Sequence, residues 1–431
     1  GHRKHIAVLK KIQTKASVQG YSDAFNYWFN KLVTRVLPLK KNEVIGDRIV
    51  KLIAAFIASL DKENEMLSTQ RSDKSNSPEG ETNESVDTGN NLSEKEKMTT
   101  KFIDGFIRHI LRGAESKDKN VRFRVMQLLV VIMDNIGEID INLYNLLMWS
   151  LNKRIYDKEP IVRIQAVFSL TKLQTDVEND TNEEDMDVEM NDSGETKATD
   201  TLMQLIQNDP SAEVRRATML NIVNNNNTRS HILERARDTN ALNRRLIYSR
   251  VLKLQGKKCF TDIDPRILDQ LMEWGLEDRE ESVRKACQRL MSSHWINLFN
   301  GDLIELLENL DIVNSKSAVA MMNSLFTSKP EILTQIKLTE EIWSSLTVEF
   351  SFLFRCFFIY CLENNVIEDV DGSFPEASRL ADYLNVYINK RFTTDSDDDL
   401  LSIDKSHLEF IIKQLLITAH RYDYSDEIGR R

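Results

Sequence analysis

Glycine, proline and cysteine are all scarce, at 14, 7 and 4 residues in a chain of 431. With so few helix breakers, long uninterrupted helices are favoured. The cysteines, Cys259, Cys287, Cys356 and Cys361, have no metal-ligand spacing and sit on apolar helical faces. They read as small buried hydrophobes in a reducing, intracellular compartment. The longest apolar run, Phe352 to Leu362, is interrupted by Arg355 and is too short to span a bilayer. There is no secretory segment, no Gly-x-x-x-x-Gly-Lys-Ser/Thr loop, no nucleophile beside a base and no metal set, so nothing supports an enzyme or a cofactor. His2-x-x-His5 lacks a third ligand for zinc. The chain begins at Gly1 without Met and ends abruptly after Arg431, which reads as a piece of a longer protein.

What the chain does have is a recurring phrase. Val121-Arg122, Val162-Arg163, Val214-Arg215 and Val283-Arg284 each open an amphipathic stretch just after a turn. The intervals between the arginines are 41, 52 and 69 residues. The second holds an acidic insertion, and the third holds a degenerate copy, Asn243-Arg244-Arg245, 40 residues before Arg284. A period near 40 in an all-helical chain marks HEAT-type hairpin repeats, whose default work is binding. In such repeats this arginine lies near a turn acid of its own or the next repeat. Arg122, Arg163, Arg215 and Arg284 are therefore expected to form a structural ladder.

The net charge of −10 is confined to one place. Asp176 to Glu195 holds ten acids and no Lys or Arg, and without it the chain has 57 acids and 57 bases. The first 48 residues carry ten Lys or Arg and three acids. An acidic total therefore does not exclude nucleic acid.

Apolar spacing divides the chain into basic N-terminal hairpins (1–68), a polar insertion expected to be disordered (69–96), repeats (97–175), a disordered acidic insertion (176–198), further repeats (199–300) and degenerate repeats (301–431). The first long helix is expected over Glu43–Leu60. Ser77-Pro78 in the first insertion is a minimal proline-directed kinase site. Trp28, Trp149 and Trp295 lie on apolar faces and read as core. The basic residues fall in doublets, Lys10-Lys11, Lys40-Lys41, Lys153-Arg154 and Arg244-Arg245, with Arg3, Lys4 and Lys15 adding charge at the start. The last three doublets are expected near the turn joining the two helices of a hairpin, where equivalent points would stack into a stripe able to track a phosphate backbone.

Longer phrases are similar to a known family. They are Val121-Arg122-Phe123-Arg124-Val125, Met133 to Asp140, Leu151-Asn152-Lys153-Arg154, Asp209 to Arg216 and Trp274 to Arg279. With these, the chain resembles, over essentially its whole length, the G-type HEAT-repeat subunit of eukaryotic condensin (CAP-G family). It looks like the N-terminal half of a fungal member. Leu37-Pro38-Leu39-Lys40-Lys41 also matches a run in that family. The resemblance implies an all-α solenoid and a non-catalytic subunit. Such a subunit holds a kleisin segment in its groove and, with it, binds double-stranded DNA without sequence preference, for mitotic chromosome condensation. The SMC ATPase subunits would be reached through the kleisin. The location would be the nucleus and chromosome, with the cytoplasm outside mitosis, and no membrane. A HEAT scaffold that binds proteins alone, of the transport-receptor or phosphatase-scaffold type, is the alternative.

Overall fold

The computed structural model describes residues 2–75, 85–134, 140–174, 194–367, 370, 374–393 and 402–422. Among them all regular structure is helical, in the antiparallel hairpins of an all-α HEAT-repeat solenoid. The chain divides into two compact units, Gly1–Ile232 and Leu233–Arg431.

In the first unit, α1 (His2–Val18), α2 (Ser22–Thr34) and α3 (Val44–Ser75) pack on one another. Three hairpins follow: α4 (Ser85–Arg112) with α5 (Lys119–Met133), α6 (Ile141–Arg154) with α7 (Pro160–Leu170), and α8 (Gly194–Asn208) with α9 (Ala212–Asn221). The second helices form a row, with α3 on α5, α5 on α7 and α7 on α9. Local chemistry fixes where these helices start. Asp118 accepts the Asn120 N–H at 2.8 Å, Asp140 accepts the Asn142 N–H at 3.1 Å, and Pro160 opens α7, where its missing N–H costs nothing. Phe29 anchors the first core, with the rings of Phe56, Phe102 and Phe106 at 5.3–5.6 Å.

Helix α3 reaches Ser75 and α4 begins at Ser85, so much of the stretch expected to be disordered has helical backbone. Its Glu, Lys and Gln residues have high intrinsic helix propensity. Residues 76–84, with Ser77-Pro78, lie outside the described residues, as do most of the acidic insertion (175–193) and the acids at 395–399.

The boundary between the units falls at the end of α10 (Arg229–Leu233), and the second unit opens with a tight turn, Glu234–Arg237. Next come α11 (Ala241–Leu246), a π-helical turn (Ile247–Val251), α12 (Leu252–Gln255) and α13 (Lys258–Asp262). The hairpin of α14 (Pro265–Leu276) and α15 (Glu281–Arg289) continues through a second π turn (Leu290–Trp295) into α16 (Ile296–Leu298). Each wide turn resets the helical phase and carries one large aromatic, Tyr248 or Trp295, into the core. After α17 (Leu303–Glu308), α18 (Ala318–Ser328) and α19 (Glu340–Ser344), the apolar run becomes α20 (Val348–Glu363), which packs against α22 (Ser402–Ala419). Helix α22 also packs on α21 (Ala377–Thr393). Between α18 and α19 the chain makes a single tight turn, Pro330–Ile332. All four cysteines are free and buried, and burial pushes the thiols of Cys259 and Cys356 up to about 12. No helix among the described residues is long and apolar enough to cross a membrane.

Candidate nucleic-acid interface

One geometric device recurs at the turn edge. The Arg122 Nε and Nη2 donate to the two carboxylate oxygens of Asp157, in the next hairpin's turn, at 2.6 and 3.0 Å. Its Nη1 donates to the Ser116 carbonyl, six residues back in its own turn, at 2.9 Å. Arg163 repeats the pattern: its fork meets Asp209 at 2.8 and 2.8 Å, and its Nη1 meets the Asp157 carbonyl at 2.7 Å. Arg215 donates Nη1 to the Asp209 carbonyl at 2.7 Å. In the second unit Arg244 forks onto Asp278 at 2.6 and 2.9 Å and reaches the Asp238 carbonyl at 2.9 Å. Arg284 reaches the Asp278 carbonyl at 2.6 Å. Each of these acids has its carbonyl taken by its own repeat's arginine, and three of them, Asp157, Asp209 and Asp278, accept a fork from the hairpin before. Burial alone would raise Asp157 and Asp278. The guanidinium hydrogen bonds and the N–H groups of Glu159 and Glu280 outweigh it and hold both below 3.8.

Two assignments from the sequence change here. Arg244, expected as half of a DNA-facing doublet, is buried and engaged in the ladder. Its neighbour Arg245 is exposed and makes no ion pair among the described residues. Arg154 is also turned inward. Its side chain is 12% exposed, and its Nη1 donates to Asp157 at 2.9 Å. Lys153 lies over the Trp149 ring and pairs with Glu115 at 2.5 Å. The doublets do not occupy equivalent points. Lys153-Arg154 ends the first helix of its hairpin, Arg244-Arg245 lies within the second helix of its own, and Lys40-Lys41 lies between helices. A regular stripe of doublets is therefore not what the repeats build.

The Lys40-Lys41 turn is different. Both side chains are exposed, while the backbone is gripped from beneath by Arg124, whose side chain has no exposure. Arg124 Nε donates to the Leu39 carbonyl at 3.1 Å and Nη2 to the Lys40 carbonyl at 2.5 Å. Its Nη1 meets Asp47 at 2.5 Å and Gln127 at 2.7 Å. A guanidinium with all its edges spent fixes the turn without competing for a ligand. Gly46 is required for this: a Cβ there would stand 2.5 Å from Arg124 Nη2.

Arg3, Lys4, Lys11 and Lys15 are exposed along α1, whereas Lys10 donates to the Ser59 carbonyl of α3 at 3.0 Å. The sequence reading passed over Arg48 and Lys51, both exposed on α3 just beyond the turn. Their spacing of three residues puts them on one helical face, which is the signal that could have found them. Trp28 and Trp149 are not core. They are 56% and 55% exposed, each under a lysine, Lys31 at 4.8 Å and Lys153 at 4.9 Å. Trp295 is fully buried.

Condensin complex subunit 3 of Saccharomyces cerevisiae is 58% identical to this chain over 434 aligned residues, covering all of the chain and 40% of that protein. The chain belongs to the condensin complex subunit 3 family. The Schizosaccharomyces pombe family member is 38% identical over the whole chain, and the human one 29% identical over 75% of it. No protein-family profile matches the chain. The structure is similar to a chain of the crystal structure of the S. pombe condensin Cnd3-Cnd2 subcomplex, with a TM-score of 0.73 and 32% identity. That match covers all of this chain and 48% of the other. The chain spans about two fifths of the length of the S. cerevisiae and S. pombe relatives. Lys40 and Lys41, exposed between α2 and α3, are among the cations that the ladder leaves available to a ligand.

Proposed function

We propose that the chain serves as the HEAT-repeat part of a non-catalytic condensin subunit that binds double-stranded DNA without sequence preference, together with a kleisin segment held along its groove. Its role is then mitotic chromosome condensation in the nucleus, with the SMC ATPases reached through the kleisin. The Cnd3-Cnd2 pairing in the solved neighbour supports the kleisin. The observation that carries the DNA reading is the Lys40-Lys41 turn, two exposed ammonium groups on a backbone immobilised by buried Arg124. Phosphate recognition without base readout needs fixed positive charge and little else, because counterion release supplies the affinity. Lys11, Arg3, Lys4, Arg48 and Lys51 extend that charge, and Arg245 is a separate contact. Lys153 contributes less, since Glu115 already pairs with it.

The test is a salt titration of duplex binding by the chain with its kleisin segment, comparing the parent with Lys40→Asp/Lys41→Asp. Loss of two phosphate contacts lowers the slope of log K against log salt by about 1.8. Affinity at low salt should fall by roughly tenfold or more while helicity is unchanged. Equal slopes for both proteins remove the turn from the path. The exposed aromatics Trp28 and Trp149 favour a second reading, a scaffold for proteins alone. Absence of any duplex binding by the chain–kleisin complex would support it.

A further inference from the structure

Cavities lie where successive hairpin turns meet above two of the arginine–aspartate forks. One lies over Arg163–Asp209 in the first unit, about 430 Å³, and another over Arg244–Asp278 in the second, about 380 Å³. Counting from the two turn aspartates gives the same positions in both, with different side chains. Where the first cavity has Tyr156, Leu205 and Pro210, the second has Arg237, Trp274 and Arg279.

That exchange brings two guanidinium groups and an indole to the rim, where the first cleft has Lys158 as its one rim cation. Arg237 lies on the Trp274 ring, 5.1 Å from its centroid, and Arg279 is exposed at the opposite turn. Neither guanidinium has an ion pair or hydrogen bond among the described residues. The cavity's two aspartates make their hydrogen bonds elsewhere: Asp278 accepts from Arg244 and the Glu280 N–H, and Asp238 accepts from the Asn240 N–H with Arg235 at 3.6 Å. Two unpaired forks, one of them held flat by stacking, meet an oxyanion with little ordering cost.

The remaining lining decides which oxyanion carrier fits. A duplex presents phosphates on a convex ridge and has no use for a walled cavity of this size. Glu277, also lining it, would repel a polyanion but can accept a peptide N–H. We propose that the cleft between the turns at Asp238 and Asp278 recognises a short peptide segment that presents an acidic or phosphorylated side chain to Arg237 and Arg279. This site is separate from the Lys40-Lys41 turn and does not depend on the DNA reading.

The experiment is fluorescence anisotropy on the whole chain with labelled peptides carrying phosphoserine, glutamate or serine at one position between leucines, and with a short duplex. The anionic peptides bind and the serine peptide binds at least about tenfold more weakly, the range for losing a charge-assisted fork. Arg237→Ala/Arg279→Ala removes that preference, Arg279→Lys reduces it by several fold, and Tyr156→Ala, in the other cavity, leaves it intact. Duplex affinity is unchanged in the double variant, and circular dichroism reports retained helix. Binding of the phosphoserine peptide alone makes the source a phosphorylated partner. Equal binding of the glutamate peptide makes it an acidic one. The proposal is overturned if the three peptides bind alike or not at all, or if the double variant loses duplex binding instead.

Discussion

The two inter-repeat clefts share a floor and differ in their rims. In both, a buried arginine forks onto the next turn's aspartate with bonds between 2.6 and 2.9 Å. The rim residues one position to either side of the turn aspartates face solvent and carry different chemistry, Tyr156 and Pro210 against Arg237 and Arg279. The contrast separates the positions that hold the repeats together from those free to acquire a ligand. A substitution in the floor is felt by two hairpins at once, whereas one at the rim is felt by whatever enters.

The largest effect should come from breaking the floor. Asp209→Ala or Asp278→Ala leaves a buried guanidinium without its partner, and each should cost about 3–5 kcal/mol in urea-melt stability. A loss under about 1 kcal/mol at either site would mean that the floor is not shared. Glycines test a smaller effect. In Gly275→Ala a Cβ would stand 2.6 Å from the Tyr248 ring and 2.7 Å from Cys287 Sγ, and in Gly46→Ala it would meet Arg124. Overpacking of this kind costs about 1–3 kcal/mol. Gly46→Ala should also loosen the Lys40-Lys41 turn and weaken duplex binding, which Gly275→Ala should not do.

Acid gives the smallest and most graded comparison. Asp157 in one unit and Asp278 in the other are both held below 3.8 when folded. Each therefore contributes stability that is fully present above its unfolded value, at about pH 5 and higher, and is lost as pH falls through the folded value. Melting temperature should decline slightly below about pH 6.5, where His109 and His294, both lowered by burial, begin to protonate in the unfolded chain. It should fall steeply only in the acid range where the two aspartates protonate. In Asp278→Asn that acid-dependent fall should be shallower.

Much of this was legible in the sequence, but unevenly. The Val-Arg phrases located the second helices because a buried residue beside a turn leaves a fixed local pattern. The acids six residues before Arg163, Arg215, Arg244 and Arg284 were on the page too. Their double role was not legible, since a fork onto a neighbouring hairpin is a long-range contact. Arg244 misled because adjacent basic residues look alike in a string, while on a helix one step turns a side chain by about 100° and so from core to solvent. Trp28 misled for the same reason. Phe25, Phe29 and Val33 take the inner face at four-residue spacing, and Trp28 and Leu32 fall one step aside, at 56% and 59% exposure. The π turns at Ile247–Val251 and Leu290–Trp295 left no composition signal at all.

The six-residue interval between each turn aspartate and its arginine also acts as a ruler. On that edge of the stack the chain cannot lengthen, because one added residue would carry the guanidinium past either its own carbonyl or its neighbour's carboxylate. The return connections, from a second helix to the next first helix, are under no such gauge: α5 to α6 takes 7 residues and α7 to α8 takes 23. Growth, tags and cleavage sites therefore have a permitted side. An inserted protease site between Gln174 and Gly194 should leave the hairpins standing after it is cut, whereas the same site placed between Asp157 and Pro160 should unstack them.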